Sequence, residues 1–122
     1  MSALSRERAE TYASWFRCMA DPTRLQVLHV LASEKRPMRV GEIAQTIGLA
    51  QSTISVHLQR LLDDEFVLLD RSGTSSWYIV NAACIEQFPR AAEQVMGSLA
   101  GKIPAHELPT TAPWAGSDDD QR

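Results

Sequence analysis

The chain has 122 residues, 44% of them hydrophobic, with 12 basic and 15 acidic side chains and a formal net charge of −3. That length and composition give one folded domain with a core of ordinary size for a small protein. No apolar run approaches the roughly 20 residues needed to span a bilayer, and the charged start MSALSRERAETYASW lacks the apolar stretch of a secretory signal, so a cytoplasmic protein is expected.

A first helix is predicted over about residues 5–19, with Tyr12, Trp15, Phe16 and Met19 on one side. Asp21 followed by Pro22 opens a second helix. The Asp side chain can cap free backbone amides, and Pro fits a first-turn position whose N–H has no helical partner. This helix reaches about Ser33 and carries Leu25, Leu28 and Leu31, widened by Val27 and Val30. SEKRP at 33–37 is a polar connection.

Residues 41–62, GEIAQTIGLAQSTISVHLQRLL, then read as two short helices around a glycine turn. Val40, Ile43, Ala44 and Ile47 recur on one helical face, Gly48 breaks the pattern, and Ile54, Leu58, Leu61 and Leu62 restart it. Opposite the second stripe lie Ser52, Val56, Gln59 and Arg60. Such a face is short, polar and nearly uncharged, so it can enter a major groove and hydrogen-bond to base edges and phosphates. The segment therefore reads as a helix-turn-helix directed at duplex DNA.

Asp63, Asp64 and Glu65 meet the negative end of the helix dipole, which predicts fraying or pairing with nearby cations. FVLLD at 66–70 and SWYIV at 76–80 are strand formers around a turn, RSGTSS at 71–76, and make a β-hairpin, or wing. From Asn81, an N-cap, a last helix is expected to run to about Lys102, with Pro89 imposing a kink or break near Phe88. Residues 103–122 hold Pro104, Pro109, Pro113 and the run Asp118, Asp119 and Asp120, and are expected to form a disordered tail beyond a domain spanning 1–102.

The fold class is thus mainly α with a small β-hairpin, in the order α-α-α-α-β-β-α. With FRCMADPTRLQVLHVLA, IGLAQSTISVHLQRLL and RSGTSSWYIV, the chain resembles the ArsR/SmtB family of winged helix-turn-helix repressors over about residues 10–100. The resemblance implies a homodimer held by its first and last helices, bound to an imperfect inverted repeat of operator DNA and released by a metal ion, metalloid or other chemical signal. It also implies that Gln51, Ser52, Thr53, Ser55, His57, Gln59 and Arg60 occupy the recognition helix. Where the family carries a capping Ser this chain has Ala50, so the helix start is expected to shift to Ser52 or to stay loose until DNA binds.

Read from the residues, Ser, Thr and Gln suit base edges and phosphates, and Arg60 is the one cation on the helix. Arg71, at the wing turn, is placed to reach a flanking phosphate or minor groove. His57 is either a half-buried structural histidine or a DNA contact, and Trp77 and Tyr78 are read as strand core. Between Glu34 and Val80 five basic residues face six acidic ones, so affinity should depend on dimerisation and neutral donors.

The signal is less legible. The family's Cys-x-Cys metal position maps to Arg39 and Gly41, and its last-helix site maps to Ala82, Cys84, Val95 and Ser98, which leaves one donor. Cys18 and Cys84 make no disulfide framework or CxxC zinc module. They are either small buried hydrophobes or, on the two dimerising helices, a thiol pair for As(III), Sb(III), another thiophilic ion or an oxidant. His29 reads as a satisfied core or interface histidine, while His106 and Glu107 sit in the tail. No phosphate loop, HExxH or GxSxG is present, so no enzyme is expected. Two alternatives stay open: a winged-helix protein-interaction module, or a DNA-binding regulator without metal sensing.

Overall fold

A computed structural model describes residues 3–97; the expected tail over 103–122, with His106, Glu107 and the Asp run, lies outside the described residues. Helix α1 spans Arg6–Cys18, and its N-cap Ser5 accepts the Arg8 amide at 3.2 Å. Helix α2 spans Pro22–Glu34. Asp21 Oδ1 accepts the Arg24 amide at 3.0 Å with Pro22 in the first turn, the start that the Asp-Pro pair prescribes.

Helix α3 (Val40–Ile47) begins where Glu42 Oε1 accepts the Arg39 amide at 3.1 Å. It ends at Gly48, whose φ of 87° lets its N–H return to the Ala44 carbonyl at 2.8 Å. Helix α4 (Gln51–Asp63) starts directly after Ala50, with no side-chain cap. The start does not shift to Ser52. The missing cap costs roughly 1 kcal/mol, which the helix tolerates because Ile54, Leu58 and Leu61 are all fully buried, each worth about 1.5–3 kcal/mol.

The wing pairs β1 (Val67–Ser72) with β2 (Ser75–Val80) antiparallel, from Val67 opposite Val80 to Ser72 opposite Ser75. Its turn is only Gly73–Thr74, shorter than the six residues expected, because a two-residue hairpin with Gly at the positive-φ position (62°) matches the strand twist. Arg71 therefore lies within β1, opposite Ser76, and not in the turn. Met38 and Tyr78 exchange two backbone hydrogen bonds of 2.8 Å, which tie the approach to α3 onto the wing.

Helix α5 spans Ala82–Met96 in one run, so Pro89 does not break it near Phe88. Proline removes one N–H, and the packing of Phe88 edge-on between Phe16 (5.4 Å) and Phe66 (5.7 Å) holds the helix on either side. The helix ends at Gly97 (φ 73°) and not near Lys102. Asn81 does not cap α5 through its side chain; its amide donates to the Glu65 carbonyl at 2.9 Å, where Glu65 holds a φ of 63°.

The core gathers Val27, Leu31, Met38, Ile43, Ile54, Leu58, Leu61, Phe66 and Val67 between α2, α3, α4 and the wing, with Cys18 and Cys84 at its edge towards α1 and α5. No described helix is long and apolar enough to cross a membrane. The five helices and hairpin form a winged helix-turn-helix in the order α-α-α-α-β-β-α.

Candidate nucleic-acid interface

Sequestering Ile54, Leu58 and Leu61 turns the opposite side of α4 to solvent. Ser52, Ser55, Val56 and Gln59, spaced three and four apart, form one exposed ridge, with Gln51 and Thr53 also exposed at its start. Gly41 of α3 lets the Gln51 side chain come close: a Cβ at Gly41 would stand 3.2 Å from the Gln51 amide nitrogen. Gln59 is oriented along its own helix, where its amide donates to Asp63 Oδ1 at 2.8 Å.

His57 and Arg60, two more of the expected contacts, are engaged within the chain. Arg60 donates Nε to Asp64 Oδ2 at 2.8 Å, and Ser14 Oγ of α1 donates to the other Asp64 oxygen at 3.4 Å. The acidic end of α4 is thus paired and not frayed. That bond and the Asp64 charge hold the Arg60 guanidinium still more firmly protonated than usual. His57 is half-buried at a helix junction, its Nδ1 3.8 Å from Asp21 Oδ1 and 3.4 Å from Arg24 Nη1. Arg24 also donates Nε to the Cys18 carbonyl at 2.7 Å, so this one guanidinium joins the end of α1, the start of α2 and α4. The Arg24 amide, followed by the charges of His57 and Arg24, holds Asp21 below the usual carboxylate range.

Two further exposed cations stand at the wing. Arg71 is exposed on β1 and, among the described residues, makes no ion pair. Arg39, at the cap of α3, is exposed with its guanidinium carbon 5.7 Å from the centre of the Trp77 ring on β2. Trp77 is therefore half-exposed against a cation, while Tyr78 packs on the core as expected. Sequence reading missed Arg39, since the stacking joins residues 38 apart in the chain, whereas Val56, placed by the sequence on the exposed face of α4, is indeed 68% exposed.

The two thiols are buried and not joined in a disulfide. Burial, then a hydrogen bond to Asp64 and its charge, pushes the Cys18 thiol up to about 12. Burial, then the charges of Glu65 and Asp64, raises Cys84 as well. Both cysteines thus flank the acidic end of α4, where thiolate is disfavoured. Among the described residues no three His, Cys, Asp or Glu side chains are grouped to hold a metal ion. His29 is exposed, 3.4 Å from Ser33 Oγ one turn on, and is not a core residue of this chain.

The profile of bacterial regulatory proteins of the arsR family matches residues 21–67, from the cap of α2 to the first residue of the wing. The nodulation protein NolR of Rhizobium meliloti is 32% identical over 91 residues, 75% of this chain and 73% of NolR. The "Probable mercury resistance operon repressor" of Streptomyces lividans is 36% identical over 87 residues, 71% of this chain and 63% of that protein. A solved homodimeric winged helix-turn-helix DNA-binding domain, Mb0332 of Mycobacterium bovis, superposes with a TM-score of 0.60 at 25% identity, covering 87% of this chain and all of that one. Element order, profile match and relatives agree: the chain belongs to the arsR family of bacterial regulatory proteins, as a DNA-binding transcriptional regulator and not an enzyme.

Proposed function

We propose that this chain is a homodimeric cytoplasmic repressor that lays α4 of each subunit into successive major grooves of an inverted repeat. The observation that carries the reading is the uncharged ridge of Ser52, Ser55, Val56 and Gln59, rigidly backed by Ile54, Leu58 and Leu61 and flanked by exposed Arg39 and Arg71. In this docking Gln51, Ser52, Thr53, Ser55 and Gln59 face base edges and phosphates. Arg39 and Arg71 neutralise flanking phosphates. His57 and Arg60 act indirectly, fixing α4 against Asp21 and Asp64.

Dimerisation through α1 and α5 is supported by the apolar side chains those helices leave in water, Phe16, Val95 and Met96, and by the homodimeric state of Mb0332. Two copies then place half-sites about one helical turn apart, roughly 34–36 Å. Cys18 and Cys84 offer two buried donors on α1 and α5 to a thiophilic effector, and since burial and nearby carboxylates hold both protonated, such an ion would have to displace their protons on binding.

Footprinting on DNA upstream of the gene, followed by mobility shifts on the protected duplex, tests this reading. Scrambling one half-site should weaken binding at least about 100-fold, since the second contact is then no longer intramolecular. Equal binding to intact and half-scrambled duplexes would overturn the inverted-repeat dimer.

A further inference from the structure

Resting on that docking, we infer that Val56 is a specificity-determining residue that reads the 5-methyl group of thymine, at one base pair in each half-site. Val56 is the most exposed large hydrophobic side chain of the described residues, at 68%, and it stands in the middle of α4. Its neighbours on the ridge, Ser52, Ser55 and Gln59, are exposed and polar, and nothing among the described residues covers it. An apolar side chain held at the crest of a polar ridge has no role in the core, which is completed by Ile54 and Leu58 on the opposite side.

The chemistry of the groove supplies the partner. Each base pair shows the major groove a different pattern, and the thymine methyl is the one apolar element in it. A valine offers two methyl groups and can neither donate nor accept, so opposite a cytosine amino group or a guanine oxygen it would leave that group unpaired. Its β-branch also fixes one rotamer on a helix, so little side-chain freedom is lost on contact. The adjacent Arg60 is held by Asp64, so it does not compete for the same base edge.

The test starts from duplexes recovered by the wild-type chain from a random library at low salt. Each thymine of the recovered site is replaced in turn by deoxyuridine, which removes the methyl and keeps every hydrogen-bonding group. Fluorescence anisotropy should show one symmetry-related pair of positions at which the replacement weakens binding by about fourfold per half-site, the value of one buried methyl. The same replacement should change the affinity of Val56→Ala less than twofold. Val56 is exposed, so this variant keeps its fold, and the deoxyuridine series on wild type needs no variant. Sensitivity below twofold at every thymine, or undiminished sensitivity in Val56→Ala, would overturn methyl reading while leaving DNA docking intact. Recovery of no duplex, with no binding at low salt, would instead overturn the docking reading and the inference with it.

Discussion

The ionisation of Cys18 bears directly on what can switch this regulator. At pH 7 a thiol with the ordinary pKa of 9.0 lies two decades below half-ionisation, and one at about 12 lies five decades below. The thiolate fraction therefore falls about 1,000-fold. A thiolate of higher pKa is intrinsically more nucleophilic, which returns about 20-fold over three pH units at a Brønsted slope near 0.45. Alkylation of Cys18 by iodoacetamide in the folded protein is thus expected to be about 50-fold slower than in the urea-unfolded chain from ionisation alone. The absence of any solvent exposure slows it further. Peptide mass spectrometry after timed quenching gives the rate at Cys18 separately from Cys84. Asp64→Asn should speed the reaction, because it removes a carboxylate beside the sulfur, yet leave it slower than in the unfolded chain because burial is the larger cause. Alkylation of native Cys18 within a few-fold of the unfolded rate would refute this reasoning.

Three further outcomes follow from the packing. Leu58→Ala, at a fully buried site on α4, should cost about 2–5 kcal/mol in urea unfolding, and a loss under 1 kcal/mol would mean the recognition helix is not anchored where we place it. Gly41→Ala puts a methyl 3.2 Å from the Gln51 amide, which a flexible side chain can yield to, so melting should be nearly unchanged while the preferred base near the start of α4 shifts. Unaltered preference would show that Gln51 reads no base. The raised Cys18 pKa contributes stability that is intact below about pH 9 and declines as pH rises from 9 towards 12, because the unfolded chain loses that proton first, and Cys84, raised as well, acts in the same direction. Cys18→Ala should flatten that alkaline decline, measured by urea midpoints across the range, and parallel declines would rule the effect out.

The element order was legible because its punctuation is local. Asp21 and Pro22 open α2, Gly48 closes α3, and the Ile54, Leu58 and Leu61 stripe marks α4. Its failures share one cause, tertiary partners at long range. Nothing local says that Phe88 is clasped by Phe16 and Phe66, which keeps α5 whole through Pro89. Arg71 and Ser72 lie in the turn that the sequence suggests, and only pairing with Ser76 and Ser75 extends β1 through them. At the interface, the ridge of α4 follows from helical spacing, and the pairing of Arg60 with Asp64 was readable as an i, i+4 pair. The link from Asp64 to Ser14 and Cys18, and the seat of Arg39 on Trp77, require the folded chain.

Docking of α4 between the wing cations is most directly tested by a salt series of fluorescence anisotropy on duplex DNA from upstream of the gene, comparing wild type with Arg39→Ala, Arg71→Ala and Arg60→Ala. Sub-micromolar wild-type binding is expected. Loss of Arg39 or Arg71 should make the logarithmic salt dependence shallower by about 0.9 for each phosphate contact removed, whereas Arg60→Ala, losing a tie to Asp64, should leave that slope nearly unchanged. No binding at the lowest salt, or slopes identical in all four proteins, would contradict the proposed docking.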